Sequence, residues 1–497
     1  MTHRILTPAQ VQGAHDYLAG RPTPLDEPLN ASAAGDSLAL PVTPETVFYT
    51  EALFRLAQDK GLRPEMMTPE GLNPREAEFV SDFNHFFLGI APPSEANPST
   101  VFEDAVALLT HGLPAIAGLG RRPAPLPQQF PSAVLIGAYG GEHVGDAAIL
   151  GGVLLGLHKD FGVTEVMLLS KRPEHTKRLV AALETPVNVR VAPYSHRDLD
   201  AAIKQHAALV FAGGPLMDLP RMLVMHLKAA RLAARVGKPF VVRNVGVGPF
   251  KRQASRMVAR QIARAASAFS VRTRDAAKDP ILHGLKVAVG HDPAFDYLAS
   301  RGTLTRLTED ERKQVDDLLH GTEGRPLLGI NIRPIRHEWA KKGEDFSRRA
   351  ETGFLQACAE AMARVATSLP TPPVFVFFPM NPIQLGGSDL ESAFHLQKLL
   401  GGRAEMRVLQ SDPDVDGVLY LLRKLDAAMT MRFHGSIFAL SQEIPTAGVD
   451  YYPGQGGKVE QLFQDRGLHD LIRRMDTADE DWIFTSMTEL LAGHAGR

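Results

Sequence analysis

The chain has 497 residues, of which 44% are hydrophobic, so it is too long for a single core and predicts two or three globular domains. No apolar run reaches the roughly 18 residues of a membrane span, and the start MTHRILTPAQ lacks an apolar signal core, so we expect a cytoplasmic protein. A net charge of −2 argues against a general nucleic-acid binder, and the single cysteine, Cys358, excludes an internal disulfide and a cysteine-based zinc site. We expect Cys358 to be a buried helix residue rather than a nucleophile.

Residues 1–117 are predicted to form a small helical domain. Three segments place a capping side chain before a proline, at Thr43, Asn73 and Asn97. Proline is favoured at the first helical position because its missing N–H would have had no partner there. Nothing in this domain indicates a chemistry, so we expect an interaction or capping role.

Charge and proline content separate this domain from the rest of the chain. Residues 1–125 hold 8 Lys and Arg against 15 Asp and Glu, a net charge of −7, whereas residues 126–497 hold 46 against 41, a net charge of +5. GLGRRPAPLPQQFPS, residues 118–132, contains four prolines and is predicted to be a stiff linker. The acidic part is therefore predicted to be a separate domain.

From residue 133 onward, short β-branched and aromatic runs alternate with stretches of helical length, which is typical of parallel sheets with helices on both faces. The first series, in residues 133–310, has strands predicted at 133–139, 165–170, 208–214, 239–245, 268–273 and 287–292. The second series, in residues 326–470, has strands predicted at 327–333, 373–379, 406–410, 427–433 and 444–450. A helical tail is predicted for residues 471–497. The fold class is therefore α/β, with two Rossmann-like domains facing a cleft at the carboxyl ends of their strands.

The first series opens with AVLIGAYGGEHVGDAAILGG, in which a strand, a glycine-rich turn and a helix follow one another. Gly140 and Gly141 allow close backbone approach, and Asp146 is placed to cap the helix. Such a turn can hold a phosphate on its N–H groups. However, the spacing is neither GxGxxG nor GKS/GKT, and the charge of Asp146 opposes direct phosphate contact. An anion-binding turn and a purely structural turn both stay open.

Several other predicted strand ends carry glycine or arginine. FAGGPLMDL supplies Gly213 and Gly214, SVRTRD supplies Arg272 and Arg274, and GINIR supplies Arg333. A tight turn, a helix cap or a surface charge explains any one of them. Together they indicate a shared cleft, because ligands of such sheets bind beyond the carboxyl ends of the strands.

The stretch AAMTMRFHGSIFAL, residues 427–440, carries Arg432 and His434 at a predicted strand-to-helix junction. In an extended chain residues two apart point the same way, so a fixed cation and an imidazole would face one pocket. The N–H groups of the following helix would point outward at the same place. The pattern therefore predicts an anion site, although a core histidine beside a structural arginine ion pair stays open as an alternative.

Residues 130–470 resemble the polysaccharide pyruvyl transferase family. The resemblance rests on these motifs in this order: GAYGGEHVGDAAIL, FAGGPLMDL, VRNVGVGPF, SVRTRD with HDPAF, and MRFHGSIFALSQEIPTAGVDYYPGQGGKVEQLFQDRGL. It implies a fold like that of GT-B glycosyltransferases. It also implies transfer of the enolpyruvyl group of phosphoenolpyruvate to a saccharide or lipid-linked saccharide in exopolysaccharide biosynthesis, which gives a cyclic ketal and phosphate.

The resemblance also implies roles for individual residues. His434 would be the general acid and base, and Arg432 would bind the carboxylate or phosphate of phosphoenolpyruvate. Arg272 or Arg274 would be a second arginine ligand. Further substrate contacts are expected at the residues that end the predicted strands or form the opening turn: Gly140, Gly141, His143, Gly213, Gly214 and Arg333.

The opening turn departs from the family pattern GNxGDEA. His143 stands where asparagine is usual, and Ala147 stands where glutamate is usual. The acceptor and its local contacts are therefore expected to differ from those of other members.

No cofactor other than the donor substrate is expected, and no metal, because the spacing of His143, Asp146 and Asp292 does not demand one. Peripheral membrane association and a homo-oligomer stay open. Two competing functions also stay open: a GT-B-type glycosyltransferase that uses a nucleotide sugar, and a non-catalytic member that binds a saccharide or a partner.

Overall fold

The structure, a computed structural model, describes residues 106, 110, 123–137, 139, 144–171, 173–248, 250, 252–335, 344–381, 389–410, 413–452 and 457–494. The predicted helical domain of residues 1–117 lies outside the described residues except for two isolated positions. The described part of the predicted linker, residues 123–132, has no regular secondary structure before Ser132, which begins the first strand of the sheet. Its Phe130 is buried and stacks on Phe161, with ring centroids 4.9 Å apart.

The described chain divides into two compact units. The first unit ends at Arg306 and also takes in Asp414–Asp416, and the second comprises Leu307–Pro413 and Gly417–Arg497. The unit boundary lies slightly before residue 310, at which we expected the first α/β domain to end. The helix that follows the boundary therefore belongs to the second unit.

The first unit is built on a parallel sheet. Its strands are β1 (Ser132–Ile136), β2 (Glu165–Ser170), β3 (Asn188–Pro193), β4 (Ala208–Phe211), β5 (Pro215–Leu216), β6 (Phe240–Val247), β7 (Ala268–Val271) and β8 (Ala288–Val289). They are arranged in the order β3-β2-β1-β4-β6-β7-β8, with β5 paired to β6, and every pair is parallel. The predicted α/β architecture of this part is confirmed.

The helices of the first unit lie between its strands, apart from the last helix, which follows β8. They are α1 (Val144–Phe161), α2 (Pro173–Ala182), α3 (His196–Gln205), α4 (Pro220–Arg235), α5 (Gln253–Ala265), α6 (Arg274–Ala277) and α7 (Ala294–Ser300). Strands β1 and β4 lie at the centre of the sheet and are buried along almost their whole length. This explains why they are continuous apolar runs rather than alternating patterns.

The second unit has its own six-stranded parallel sheet. Its strands are β9 (Leu327–Asn331), β10 (Val374–Phe377), β11 (Met406–Val408), β12 (Ala427–Thr430), β13 (Thr446–Asp450) and β14 (Ile472–Arg474), in the order β11-β10-β9-β12-β13-β14. All five pairings are parallel. Its helices are α8 (Glu309–Leu319), α9 (Glu344–Ser368), α10 (Asp389–Leu400), α11 (Val415–Leu422), α12 (Phe433–Ser441), α13 (Lys458–Asp465) and α14 (Glu480–His494). A second α/β domain, as predicted, is confirmed.

Strands β3, β5 and β14 were not predicted from the sequence. β3 and β14 are edge strands whose residues are mostly half-buried or exposed, and β5 has only two residues, so none carries the apolar run that marks the other strands. β14 pairs with β13 and so extends the sheet beyond residue 470, where we expected the domain to end. The predicted tail of residues 471–497 therefore contains a strand as well as a helix.

Two further sequence expectations concern single features. Cys358 is buried in α9, and burial raises the pKa of its thiol, which confirms the prediction of a buried helix residue. Within the described ranges, none of the helices is both long and apolar enough for a membrane crossing.

Candidate functional site

The candidate site lies at the carboxyl edge of the sheet in the second unit, where β12 gives way to α12. β12 ends at Thr430 and α12 begins at Phe433, with Arg432 as its N-terminal cap residue. The predicted strand-to-helix junction is therefore confirmed, but the strand ends earlier than the predicted 427–433. Arg432 and His434 consequently do not lie on one extended segment, because His434 is already the second residue of the helix.

A buried carboxylate holds the side chain of Arg432. Asp389, the first residue of α10, accepts hydrogen bonds on Oδ1 from Nε of Arg432 at 2.8 Å and from Nη2 at 2.5 Å. The side chain of Asp389 is 0% exposed and that of Arg432 is 16% exposed. Removing one partner of such a buried pair typically costs about 3–5 kcal/mol, so the geometry of Arg432 is firmly fixed.

Asn331, the last residue of β9, completes this network. Its Oδ1 accepts a hydrogen bond from the backbone N–H of Arg432 at 3.1 Å, and its Nδ2 donates to the backbone oxygen of Phe378 at 2.9 Å. A Cβ atom on Gly435 would lie 2.5 Å from Oδ1 of Asn331, which is too close for a real side chain. The glycine after His434 is therefore required for Asn331 to reach the junction.

Arg333 approaches the same edge from the neighbouring strand. It follows β9 by two residues, and its guanidinium carbon lies 4.6 Å from the ring centroid of Tyr451, which follows β13 directly. Strands β9 and β13 flank β12 and are therefore separated by about 10 Å, twice the strand spacing. The contact between Arg333 and Tyr451 therefore spans the carboxyl edge of the sheet, where β12 also ends.

His434 is half-buried in the first turn of α12, and its ring meets that of Phe433 edge-on at 5.3 Å between centroids.

Asp450, at the end of β13, is buried and accepts hydrogen bonds from the backbone N–H groups of Tyr452 at 2.8 Å and Glu460 at 2.7 Å. Burial raises the pKa of Asp450, and these two N–H groups offset part of the effect. This carboxylate serves to cap α13.

The first unit brings a second set of predicted residues to its own carboxyl edge. Gly213 has a φ of +73° in the turn after β4, and a side chain at this position would overlap the hydroxyl of Tyr139. Tyr139 is 6% exposed, and its hydroxyl has no hydrogen-bond partner among the described residues. Burial and, to a smaller extent, the charge of Asp146 raise the pKa of Tyr139, so the phenol stays protonated. Gly214 follows in the same turn and is half-buried.

The structure separates Arg272 from Arg274. β7 ends at Val271 and the short helix α6 begins at Arg274, so the extended segment that would align the two side chains is absent. Nη1 of Arg272 lies 3.0 Å from Oδ2 of Asp292, and both side chains are almost completely buried. Arg274 is exposed. In the described structure Arg272 is therefore part of a structural ion pair, and the two arginines do not share an environment.

The remaining predicted contacts, Gly140, Gly141 and His143, lie outside the described residues. Within the described ranges, no group of three or more His, Cys, Asp and Glu side chains is arranged to hold a metal ion. Asp292, which we considered as a ligand from sequence, also accepts a hydrogen bond from the N–H of Ala294 at 3.0 Å at the start of α7.

Sequence reasoning missed three residues of the second-unit site: Asn331, Asp389 and Tyr451. Each had a weak signal. Asn331 is a polar residue ending the apolar run LLGIN, Asp389 stands directly after Gly-Gly-Ser and before a helical pattern, and Tyr451 lies in the motif DYYPGQGG. None of these signals says which partner the side chain meets.

Comparison with known proteins gives one family. The family model described as polysaccharide pyruvyl transferase matches residues 143–452. No curated protein sequence matches the chain at a significant level.

Several solved structures are similar in fold. UDP-GlcNAc 2-epimerase from Methanocaldococcus jannaschii has 11% identity and a TM-score of 0.49, covering 73% of this chain and 92% of its own. UDP-GlcNAc 2-epimerase from Neisseria meningitidis has 13% identity and a TM-score of 0.48, and the match covers 73% of this chain and 91% of the epimerase chain. ADP-heptose LPS heptosyltransferase II from E. coli has 14% identity and a TM-score of 0.38, and the match covers 73% of this chain and 99% of the transferase chain.

Proposed function

The chain belongs to the polysaccharide pyruvyl transferase family, and from this premise we propose that it transfers the enolpyruvyl group of phosphoenolpyruvate to a saccharide. The product would be a cyclic pyruvate ketal, with release of phosphate. The acceptor would be a saccharide or a lipid-linked saccharide.

One observation carries this proposal: Arg432, His434 and Arg333 all follow the carboxyl ends of the neighbouring strands β9 and β12 in the second sheet. Phosphoenolpyruvate presents a carboxylate and a phosphate, and guanidinium groups bind both because they are permanently charged and offer paired N–H donors. Arg432 is held rigidly by Asp389, and Arg333 stacks on Tyr451 at the same carboxyl edge. Two arginines of this kind are suited to the two anionic groups of the donor.

The proposed reaction needs one proton donor and one proton acceptor. The enol methylene carbon takes a proton and becomes the methyl group, and a first sugar hydroxyl adds to the adjacent carbon. A second sugar hydroxyl then attacks the same carbon, and the bond between that carbon and the phosphate oxygen breaks. The two hydroxyl protons balance the one gained by the methylene and the one carried away by phosphate. His434 can serve in both steps, because imidazole accepts and donates protons near neutral pH.

The proposal is tested by incubating the full chain with phosphoenolpyruvate and a panel of saccharide and lipid-linked saccharide acceptors. We expect acceptor-dependent phosphate release with a product of the mass of the ketal. For His434→Ala we expect retained binding of phosphoenolpyruvate and a fall in turnover of about 10²–10⁴-fold, the usual contribution of general acid and base catalysis.

His469→Ala is the matched control. His469 is exposed and precedes β14, so it lies at the amino ends of the strands, opposite to the carboxyl edge that holds the site. This variant should turn over normally. Near-normal turnover of His434→Ala would refute the acid and base role. Thermal protection by a nucleoside diphosphate but not by phosphoenolpyruvate would instead favour a glycosyltransferase.

A further inference from the structure

The carboxylate of Asp389 divides its two oxygens between two tasks. Oδ2 accepts from the backbone N–H groups of Met380 at 2.9 Å and Asn381 at 3.2 Å, in the segment that follows β10. Among the described residues, Oδ1 accepts hydrogen bonds only from Arg432, at 2.8 Å from Nε and at 2.5 Å from Nη2. The backbone N–H of Asp389 also donates to the oxygen of Asn381 at 2.9 Å. The carboxylate is thus tied to the main chain on one side and presents a fixed acceptor on the other.

The two bonds from Arg432 come from one edge of its planar guanidinium. Because Nε and Nη2 both donate to Asp389, rotation of the guanidinium about its last side-chain bond is prevented. The edge that carries Nη1 is consequently directed away from Asp389. The backbone N–H of the same residue is bound by Asn331, so main chain and side chain are both anchored.

The charge of this arrangement differs from that of an isolated arginine. A buried Asp–Arg pair is close to neutral in total, so Arg432 attracts a distant anion less than a lone guanidinium does. Its advantage is geometric, because an oriented N–H edge loses little freedom when an anion binds. The net positive charge at this edge then depends more on Arg333, which stacks on Tyr451.

We propose that Asp389 is a positioning residue, which orients the Arg432 guanidinium so that its outer edge binds the anionic donor. This inference rests on the proposed function. It assigns Asp389 no contact with the substrate. The role of Arg432 becomes that of an oriented pair of donors rather than a mobile positive charge.

The experiment is a double-mutant cycle on the full chain with Asp389→Asn, Arg432→Gln and both changes together, with phosphoenolpyruvate affinity measured by calorimetry. An amide of the same size keeps only one acceptor oxygen, so it cannot serve both Arg432 and the backbone donors. We expect Asp389→Asn to lower the affinity about tenfold, which corresponds to about 1.4 kcal/mol. The double variant should be no weaker than Arg432→Gln alone, because Asp389 acts through Arg432.

Asp426→Asn is the matched control. Asp426 also accepts a hydrogen bond from a backbone N–H, that of Leu327 at 2.7 Å. This contact lies at the amino ends of β9 and β12, away from the carboxyl edge that holds the site. The control variant should lose stability without losing affinity. Unchanged affinity in Asp389→Asn, or losses that multiply in the double variant, would overturn the positioning role.

Two further measurements keep the inference testable if Asp389→Asn does not fold. Arg432→Lys retains the charge but not the planar fork, so we expect it to bind phosphoenolpyruvate about as weakly as Arg432→Gln; affinity like that of the wild type would overturn the inference. The Nε proton of Arg432 should exchange slowly with solvent in the wild-type protein without any ligand, and rapid exchange would also overturn it. If the wild type binds no phosphoenolpyruvate, the proposed function fails and the positioning role fails with it, while the exchange measurement still decides whether Asp389 holds the Arg432 guanidinium in place.

Discussion

Replacing His226 should make the stability of the first unit less sensitive to acid. His226 lies in α4, is 4% exposed, and its Nδ1 is 2.9 Å from the hydroxyl of Tyr194. Its ring also packs on Phe211, with centroids 4.5 Å apart. Burial and, secondarily, the charge of Lys171 lower the pKa of His226 from 6.5 to about 3.

The direction of the pH dependence of stability follows from the number of protons that the folded and the unfolded chain bind. Between pH 3 and pH 6.5 the unfolded chain protonates this histidine and the folded chain does not, so its contribution to stability is complete above pH 6.5 and falls as the pH drops. At pH 5 the loss relative to pH 8 is about 2 kcal/mol, from a pKa of 6.5 in the unfolded chain and of about 3 in the folded protein. Any folded pKa below about 4 gives nearly the same figure at this pH.

The assay is urea unfolding of the full chain at pH 8 and pH 5, followed by far-ultraviolet circular dichroism. His226→Gln cannot titrate but can still bond to Tyr194, so it should lose about 2 kcal/mol less than the wild type over this interval. Tyr194→Phe keeps the buried imidazole and should retain the pH dependence. Equal losses in wild type and His226→Gln would refute the reasoning.

Three other substitutions test the packing of the first unit by urea unfolding. Gly152→Ala should destabilise it by about 2 kcal/mol or more, because a Cβ atom there would overlap the backbone oxygen of Pro293. Gly302→Ala, with nothing within 4 Å of the new atom, should change stability by less than about 0.5 kcal/mol, and equal effects would contradict the predicted overlap. Tyr139→Phe should raise stability by about 1 kcal/mol, since it removes a buried hydroxyl without a partner among the described residues. A loss instead would show that this hydroxyl is bonded in solution.

Much of the fold could be read from the sequence because its strands are buried on both faces. Strand β2 matches the predicted residues 165–170 completely, and β4 and β12 begin where predicted. Their ends are less predictable, because polar residues such as Arg432 can continue a strand or cap a helix. Edge strands such as β3 escape prediction because one side of an edge strand has no neighbour to bury it.

The candidate site was only partly predictable. The junction at Arg432 and His434 could be found because an apolar strand pattern changes to an apolar helix pattern there. The partner of Arg432 could not, since Asp389 is 43 residues away in the chain and no local pattern relates the two. For the same reason the ion pair between Arg272 and Asp292 was not foreseen, and the spacing of Arg272 and Arg274 suggested a shared direction that the start of α6 removes.

The sequence by itself determined that two parallel α/β sheets follow one another and that an arginine and a histidine stand at a strand-to-helix junction of the second. These features are set by hydrophobic periodicity and turn chemistry, which are local. Only the tertiary structure decided that a buried carboxylate pairs with Arg432, and that Arg333 stacks on Tyr451. Those contacts depend on the order of strands in the sheet, which brings residues distant in the chain to one edge.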